Sequence, residues 1–241
     1  MNGLSDQQRA RVFGVLFLIT FVTSIPALWL YQPVLDDPVG YIAGAGHNNR
    51  ILFGVLLELL LIIANIATAV VIFPIVKRQS EELALGYVTA RLFECGFILV
   101  GIVAVLGIVT LQKDVAGAAE GTVAYTLAAI KDWTFLLGPG WVVGWGNGLI
   151  LGYLMYKSEL VPRKLAWLGL VGGPLVILSG TLVLFDVAEK SGTLQGLATI
   201  PEGVWELSLG VYCALKGFRP SSPILRDDGE RMMAIPAPTP A

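Results

Sequence analysis

Six long apolar stretches dominate the 241-residue sequence, and they constrain the fold more than any other feature. A helix needs about 20 mostly apolar residues to cross the hydrocarbon core of a bilayer. Only 14% of the residues are charged, against roughly 25% in soluble domains. The sequence therefore predicts an all-α, polytopic membrane helix bundle with six transmembrane helices: Val12–Tyr31, Ile51–Val76, Leu85–Leu111, Trp133–Tyr156, Leu165–Phe185 and Pro201–Phe218.

Loop charges indicate how these helices are oriented. Loops on one side of the predicted membrane hold eleven Lys and Arg residues, and loops on the other side hold four. Because loops rich in Lys and Arg stay in the cytoplasm, we expect both termini there. This divides the chain into a cytoplasmic segment 1–11, a six-helix transmembrane domain 12–218 and a polar, proline-rich cytoplasmic tail 219–241, which we expect to be disordered. The helix-prone segment Thr122–Ile130 either lies on the outer surface or extends the fourth helix.

Regularly spaced glycines indicate where two helices pack. The fourth apolar stretch carries one glycine every four residues: Gly140, Gly144, Gly148 and Gly152. In lipid, such a ridge lets a neighbouring backbone approach closely. The next stretch carries its own glycines, at Gly169, Gly173 and Gly180, so we expect the two helices to pack antiparallel. Pro139 and Pro174 leave a hinge as the alternative to pure packing.

Charged residues inside apolar stretches are costly, so each one needs a partner. Arg91 and Glu94 are spaced i,i+3 on one helix face, and we expect a structural ion pair there. Three carboxylates fall towards the outer side, at Glu58, Glu202 and Glu206, and Asp132 opens the fourth stretch on the same side.

Within the six stretches, four glutamates face Arg91 alone, which leaves a net charge of −3 if all are ionised. Such a site takes up protons, holds a cation or admits water, and each option predicts an outward-facing acidic cavity. Two alternatives stay open. Glu202 follows Pro201 and could stabilise the first turn of a helix. Glu58 and Glu206 could instead accept hydrogen bonds from a neighbouring Asn or Trp.

The predicted ligand is small and cationic or protonatable, because aromatic faces beside carboxylates suit an organic cation. Interior packing is the alternative role for the tryptophans. The candidate ligand-binding residues are Glu58, Asn65, Asp132, Trp133, Asn147, Trp205 and Glu206.

Several chemistries lack the residues that they need. The single histidine, His47, lies in a loop, so no apolar stretch offers a zinc or haem ligand of the usual kind. There is no G-x-S-x-G motif and no phosphate-binding loop. The net charge of −2, without a basic run, speaks against nucleic acid. We therefore predict no cofactor, no metal site and no catalytic residue.

Five blocks follow one another along the chain: IPALWLYQPVL, LELLLIIANIATAVVIFP, DWTFLLGPG, LGYLMYKSELVPR and WELSLG. Together they resemble a bacterial family of small multi-pass membrane proteins, named domain of unknown function 4386, over roughly Val12 to Phe218. The resemblance implies a multi-pass protein of the bacterial cytoplasmic (inner) membrane, and it implies no reaction and no ligand.

Three hypotheses for function follow. The favoured one is a protein that binds or transports a small cationic or protonatable ligand. The alternative is a structural or assembly partner of another membrane protein, whose identity the sequence does not give. The least favoured is an intramembrane lipid-modifying enzyme that uses Glu and Asp as acid and base.

Overall fold

The computed structural model describes residues 3–45, 47–114, 120–190 and 192–226, and no strand occurs in these ranges. Six long helices make up the bundle: α1 (Asp6–Asp36), α2 (Asn48–Val76), α3 (Glu81–Asp114), α4 (four continuous segments, Glu120–Phe135, Leu136–Val142, Gly144–Leu151 and Gly152–Ser158), α5 (Arg163–Leu184) and α6 (Thr193–Lys216). A short helix, Pro38–Gly40, and a single π turn, Tyr41–Ala45, connect α1 to α2.

Helices α1 to α5 are each long and apolar enough to cross a membrane. The prediction of an all-α bundle with membrane-spanning helices is therefore confirmed. Helix α6 is not among these five, because Glu202 and Glu206 lower the mean hydropathy of its apolar part. The count of six spans stays a prediction. Segment Thr122–Ile130 belongs to α4, so it extends the fourth helix.

The helices form a closed ring in chain order. Each packs against its neighbours in sequence, and α6 packs back against α1. Large apolar side chains point away from the ring, and Val22 and Leu215 are 70% and 74% exposed. Such a surface suits contact with lipid, because lipid tails are as apolar as these side chains.

Two apolar clusters fill the interior. One contains Phe13, Ile72 and Trp205, and the other contains Tyr31 and Ile102. Along α2 and α3 most of the buried polar side chains lie between the residues of these two clusters, whereas Glu58 lies among residues of the second. The polar groups are thus enclosed within the bundle at mid-height.

The two ends of the described chain meet. The Gln7 side-chain amide donates to the Phe218 carbonyl at 2.8 Å, and the Phe218 N–H donates back to the Gln7 side-chain oxygen, Oε1, at 2.9 Å. Gly217 makes this approach possible, because its φ of 73° turns the chain where α6 ends. We call this end of the bundle the terminal face and the opposite end the distal face.

The first part of the predicted disordered tail is folded onto the terminal face. The Arg219 N–H donates to the Leu160 carbonyl at 2.9 Å, and the Ser222 hydroxyl donates to the Ser158 carbonyl at 2.6 Å. Ser222 and Ile224 are buried. The prediction of disorder from residue 219 is therefore wrong for 219–226, because these few side chains find buried partners. Residues 227–241 lie outside the described residues.

Candidate functional site

A cavity of about 220 Å³ lies at the centre of the ring, and all six helices contribute to its wall. It has room for about seven water molecules at liquid density. The lining residues are Thr20, Phe21, Ser24, Leu28, Glu58, Leu61, Asn65, Arg91, Glu94, Phe135, Pro139, Val143, Val176, Thr199, Glu202, Gly203 and Glu206. Four carboxyl groups and one guanidinium group thus share a single cavity.

Part of the wall comes from π-helical backbone in α4. Segments Leu136–Val142 and Gly144–Leu151 have π-helical hydrogen bonding, and Pro139 lies within the first. Proline has no N–H to donate, which disturbs the regular α-helical pattern. Longer π segments are rare, and short ones occur frequently at functional sites.

The glycine ridge packs α4 against α5 over most of its length. A Cβ atom on Gly144 would lie 2.7 Å from the Gly173 carbonyl oxygen, and Gly148 lies against the Gly173 Cα. A Cβ on Gly152 would lie 3.3 Å from the Leu170 nitrogen. Gly140 does not face α5: a Cβ there would meet only the Phe135 carbonyl of its own helix, at 3.5 Å.

Arg91, Glu94 and Asn65 form a closed hydrogen-bonded triangle. The two Arg91 Nη atoms lie 2.6 Å from Glu94 Oε2 and 2.6 Å from Asn65 Oδ1. The Asn65 side-chain amide donates to Glu94 Oε1 at 3.0 Å. Arg91 and Glu94 thus contact each other as their i,i+3 spacing predicts, and the guanidinium compensates the Glu94 charge. The two residues also line the same cavity as Glu58, Glu202 and Glu206.

Glu58 is paired, contrary to the expectation from sequence. Lys131 Nζ lies 2.6 and 2.7 Å from the two Glu58 oxygens, and the Tyr31 hydroxyl donates to Glu58 at 3.0 Å. Lys131 is only 3% exposed. The predicted fourth helix began at Trp133, which left Lys131 among the four outer-loop charges; this was wrong, because α4 begins at Glu120 and carries Lys131 into the bundle. The surplus charge of the ionisable groups inside the bundle is consequently −2 if all are ionised, and not −3.

Glu206 and Asn147 form a direct contact between α6 and α4. The Asn147 side-chain amide donates to Glu206, and the indole N–H of Trp205 donates to the Asn147 carbonyl at 3.0 Å. Trp205 is fully buried in the apolar cluster near the terminal face. Two of the alternatives thus have structural support: Glu206 accepts an interhelical hydrogen bond, and Trp205 packs in the interior. Arg91 and Glu206 line the same cavity, but no salt bridge joins them in the described part of the chain.

Glu202 has no partner at all among the described residues. It is 2% exposed, and neither carboxyl oxygen has a hydrogen-bond donor. A Cβ on Gly148 or Gly172 would lie 2.8 or 2.7 Å from Glu202 Oε2, so the carboxyl occupies a slot that only glycine leaves open. The first-turn alternative for Glu202 is wrong, because α6 begins at Thr193, more than two turns earlier.

Four of the seven predicted ligand-binding residues do not line the cavity: Asn147 and Trp205 pack behind Glu206 as described above, and Asp132 and Trp133 lie at the surface. Asp132 pairs with Lys190 at 2.6 Å, and both side chains are more than one-third exposed. Trp133 is 41% exposed and does not line the cavity. The structure therefore brings Glu58, Asn65 and Glu206 together and leaves Asp132 and Trp133 at the surface.

Two functional contacts were not expected from the sequence. Tyr31 ends the first predicted helix, and Lys131 lies just before the predicted start of the fourth, so neither had an assigned partner. The helix-prone segment Thr122–Ile130 was the available signal for Lys131, because an earlier helix start places it inside. The described residues contain no group of three or more His, Cys, Asp or Glu arranged for a metal ion.

The sequence profile of a family described as Domain of unknown function (DUF4386) matches residues 12–217. The match covers most of the chain and agrees with the resemblance drawn from the five sequence blocks. No curated protein and no solved structure matches the chain.

Proposed function

The chain belongs to the family described as Domain of unknown function (DUF4386), and we propose that it binds or transports a small cationic or protonatable ligand in the central cavity. One observation carries the proposal: the Glu202 carboxyl is buried and has no donor among the described residues. An unpartnered buried polar group costs about 1–3 kcal/mol, and more when it is charged. A ligand that supplies donors and positive charge would remove that cost.

The distribution of charge supports the same proposal. Lys131 compensates Glu58 and Arg91 compensates Glu94, each at 2.6 Å. Glu202 and Glu206 lie one helical turn apart on α6, and neither has a salt bridge in the described residues. Like charges this close in a low-dielectric site disfavour double ionisation. The pair therefore needs a proton or a cation from outside the protein.

We also propose that α6 is a sixth membrane span, with both termini in the cytoplasm of a bacterium and the bundle in its inner membrane. The hydrogen bonds between Gln7 and Phe218 support an even number of crossings, since they join the start of α1 to the end of α6. Five crossings would place these two residues on opposite sides of the bilayer. The excess of Lys and Arg in the terminal-face loops supports the cytoplasmic orientation.

Thermal unfolding in lipid nanodiscs tests the binding proposal. The probes are methylammonium, tetramethylammonium and guanidinium chloride, each compared with sodium chloride at equal ionic strength. A ligand at one hundred times its Kd stabilises the folded state by about 2.7 kcal/mol. We expect at least one probe to raise the melting temperature of the parent protein and to have no effect on Glu202→Gln.

The control variant is Glu82→Gln. Glu82 is exposed at the start of α3, where it accepts a hydrogen bond from Ser80 at 3.0 Å. Glu82→Gln removes one carboxylate, as Glu202→Gln does, but at a position far from the cavity. This control should therefore respond to the probe like the parent. The proposal is refuted if no probe distinguishes the parent from Glu202→Gln while both proteins remain helical.

A further inference from the structure

The cavity reaches the side of the bundle between α1 and α6. These helices run antiparallel and touch closely near the terminal face, where a Cβ on Gly14 would lie 2.6 Å from the Gly210 carbonyl oxygen. Nearer the distal face the contact opens. Gly203 lines the cavity, yet a Cβ there would meet no atom within 4 Å. Thr199, one turn nearer the start of α6, also lines the cavity and is exposed.

The α1 side of this opening is mostly apolar. Phe21, Ser24 and Leu28 line the cavity and are partly exposed, so they reach from the interior to the surface. The residues that flank the opening are exposed and apolar as well: Ile25 on α1 and Ile200 on α6 are 49% and 55% exposed. An opening framed in this way faces the hydrocarbon core of the bilayer.

We propose that the ligand is an amphiphilic cation, with an ammonium group on Glu202 and an apolar chain in the α1–α6 opening. This inference rests on the proposed function and adds the class of ligand and its route of entry. A primary ammonium carries three N–H donors, and both Glu202 oxygens lack a donor among the described residues. Glu206, one turn along the same helix face, adds negative charge at the same place.

The chain of the ligand would lie against Phe21 and Leu28 and pass over Gly203. The missing side chain at Gly203 leaves its path free. A ligand held in this way enters from the membrane and brings its charge to the carboxyls without crossing a layer of polar loops. A fully hydrophilic ion would not fill the α1–α6 opening, and lipid would occupy it instead.

Substitutions at two glycines of α6 test this inference. A Cβ on Gly196 also meets no atom within 4 Å, and Gly196 does not line the cavity. Gly203→Leu and Gly196→Leu thus make the same change on the same helix, but only Gly203→Leu lies in the path of the ligand's apolar chain. Both should fold, because neither added side chain meets a neighbouring atom at its Cβ.

The probes are octylammonium and methylammonium, with binding measured by thermal stabilisation in nanodiscs and Glu202→Gln as the baseline for unspecific partitioning. We expect Gly203→Leu to weaken octylammonium binding about tenfold or more, since inserting methylenes into filled space is costly. Gly196→Leu should bind octylammonium like the parent, and methylammonium should bind all three proteins alike.

The outcomes separate the two proposals. If methylammonium binds the parent but Gly203→Leu binds octylammonium as tightly as Gly196→Leu does, the amphiphile inference is overturned and the proposed function stands. The amphiphile inference is also overturned if octylammonium stabilises the parent no more than Glu202→Gln. If neither ion stabilises the parent above that baseline, both proposals fail.

Discussion

The ion pair between Glu58 and Lys131 gives the sharpest test of how this bundle tolerates buried charge. The two side chains are 6% and 4% exposed, and the Tyr31 hydroxyl is the other donor to Glu58. Lys131→Met removes the ammonium while roughly keeping the side-chain length. Removing one partner of a buried pair costs about 3–5 kcal/mol. Because the Tyr31 hydrogen bond stays, we expect a loss of about 3 kcal/mol in the free energy of unfolding.

The assay is reversible unfolding by SDS in mixed micelles, followed by far-UV circular dichroism. The double variant Glu58→Gln with Lys131→Met should lose less stability than Lys131→Met alone, because the neutral amide leaves no unpaired charge. Lys190→Met is the matched control, since it breaks the exposed pair with Asp132 and should cost less than about 1 kcal/mol. A loss below about 1 kcal/mol for Lys131→Met, or no recovery in the double variant, would refute the reasoning.

Two further predictions concern packing and the chain end. Gly173→Ala should destabilise the bundle by about 1–3 kcal/mol in the same SDS assay, because the new Cβ would lie 2.9 Å from the Gly148 Cα. Gly196→Ala should not, and equal stabilities would contradict the proposed close packing of α4 on α5. Ser222→Ala should speed trypsin cleavage after Arg226 in nanodiscs, since it removes the 2.6 Å bond from Ser222 to Ser158 that holds this segment on the terminal face. Unchanged cleavage rates would show that this bond does not hold the segment.

The helical bundle was predictable because it depends on local composition. Each apolar stretch predicts its own helix, and i,i+3 spacing was enough to pair Arg91 with Glu94. The close packing at Gly144 and Gly148 also followed from a pattern within one stretch. These features require no knowledge of how the helices are arranged around the ring.

The partners of Glu58 were not predictable in that way. Lys131 lies 73 residues along the chain from Glu58, and the two meet only because the ring brings α2 and α4 to one cavity. The free carboxyl at Glu202 was hidden for a similar reason. Its surroundings depend on glycines from α4 and α5, whereas Pro201 suggested a helix start. The π-helical winding of α4 has no recognised sequence signal. In this part of the helix Gly140 does not face α5, although it belonged to the predicted glycine ridge.

The pairing of the first helix with the last sets the order in which the bundle can close. Gly14 of α1 lies against Gly210 of α6, so about 200 residues of synthesis separate the two halves of this contact. Until α6 has been made and has folded, that face of α1 lacks the helix that covers it in the finished bundle. A chain cut short before α6 therefore leaves Gly14 uncovered, on a face of α1 that the finished bundle closes near the terminal face.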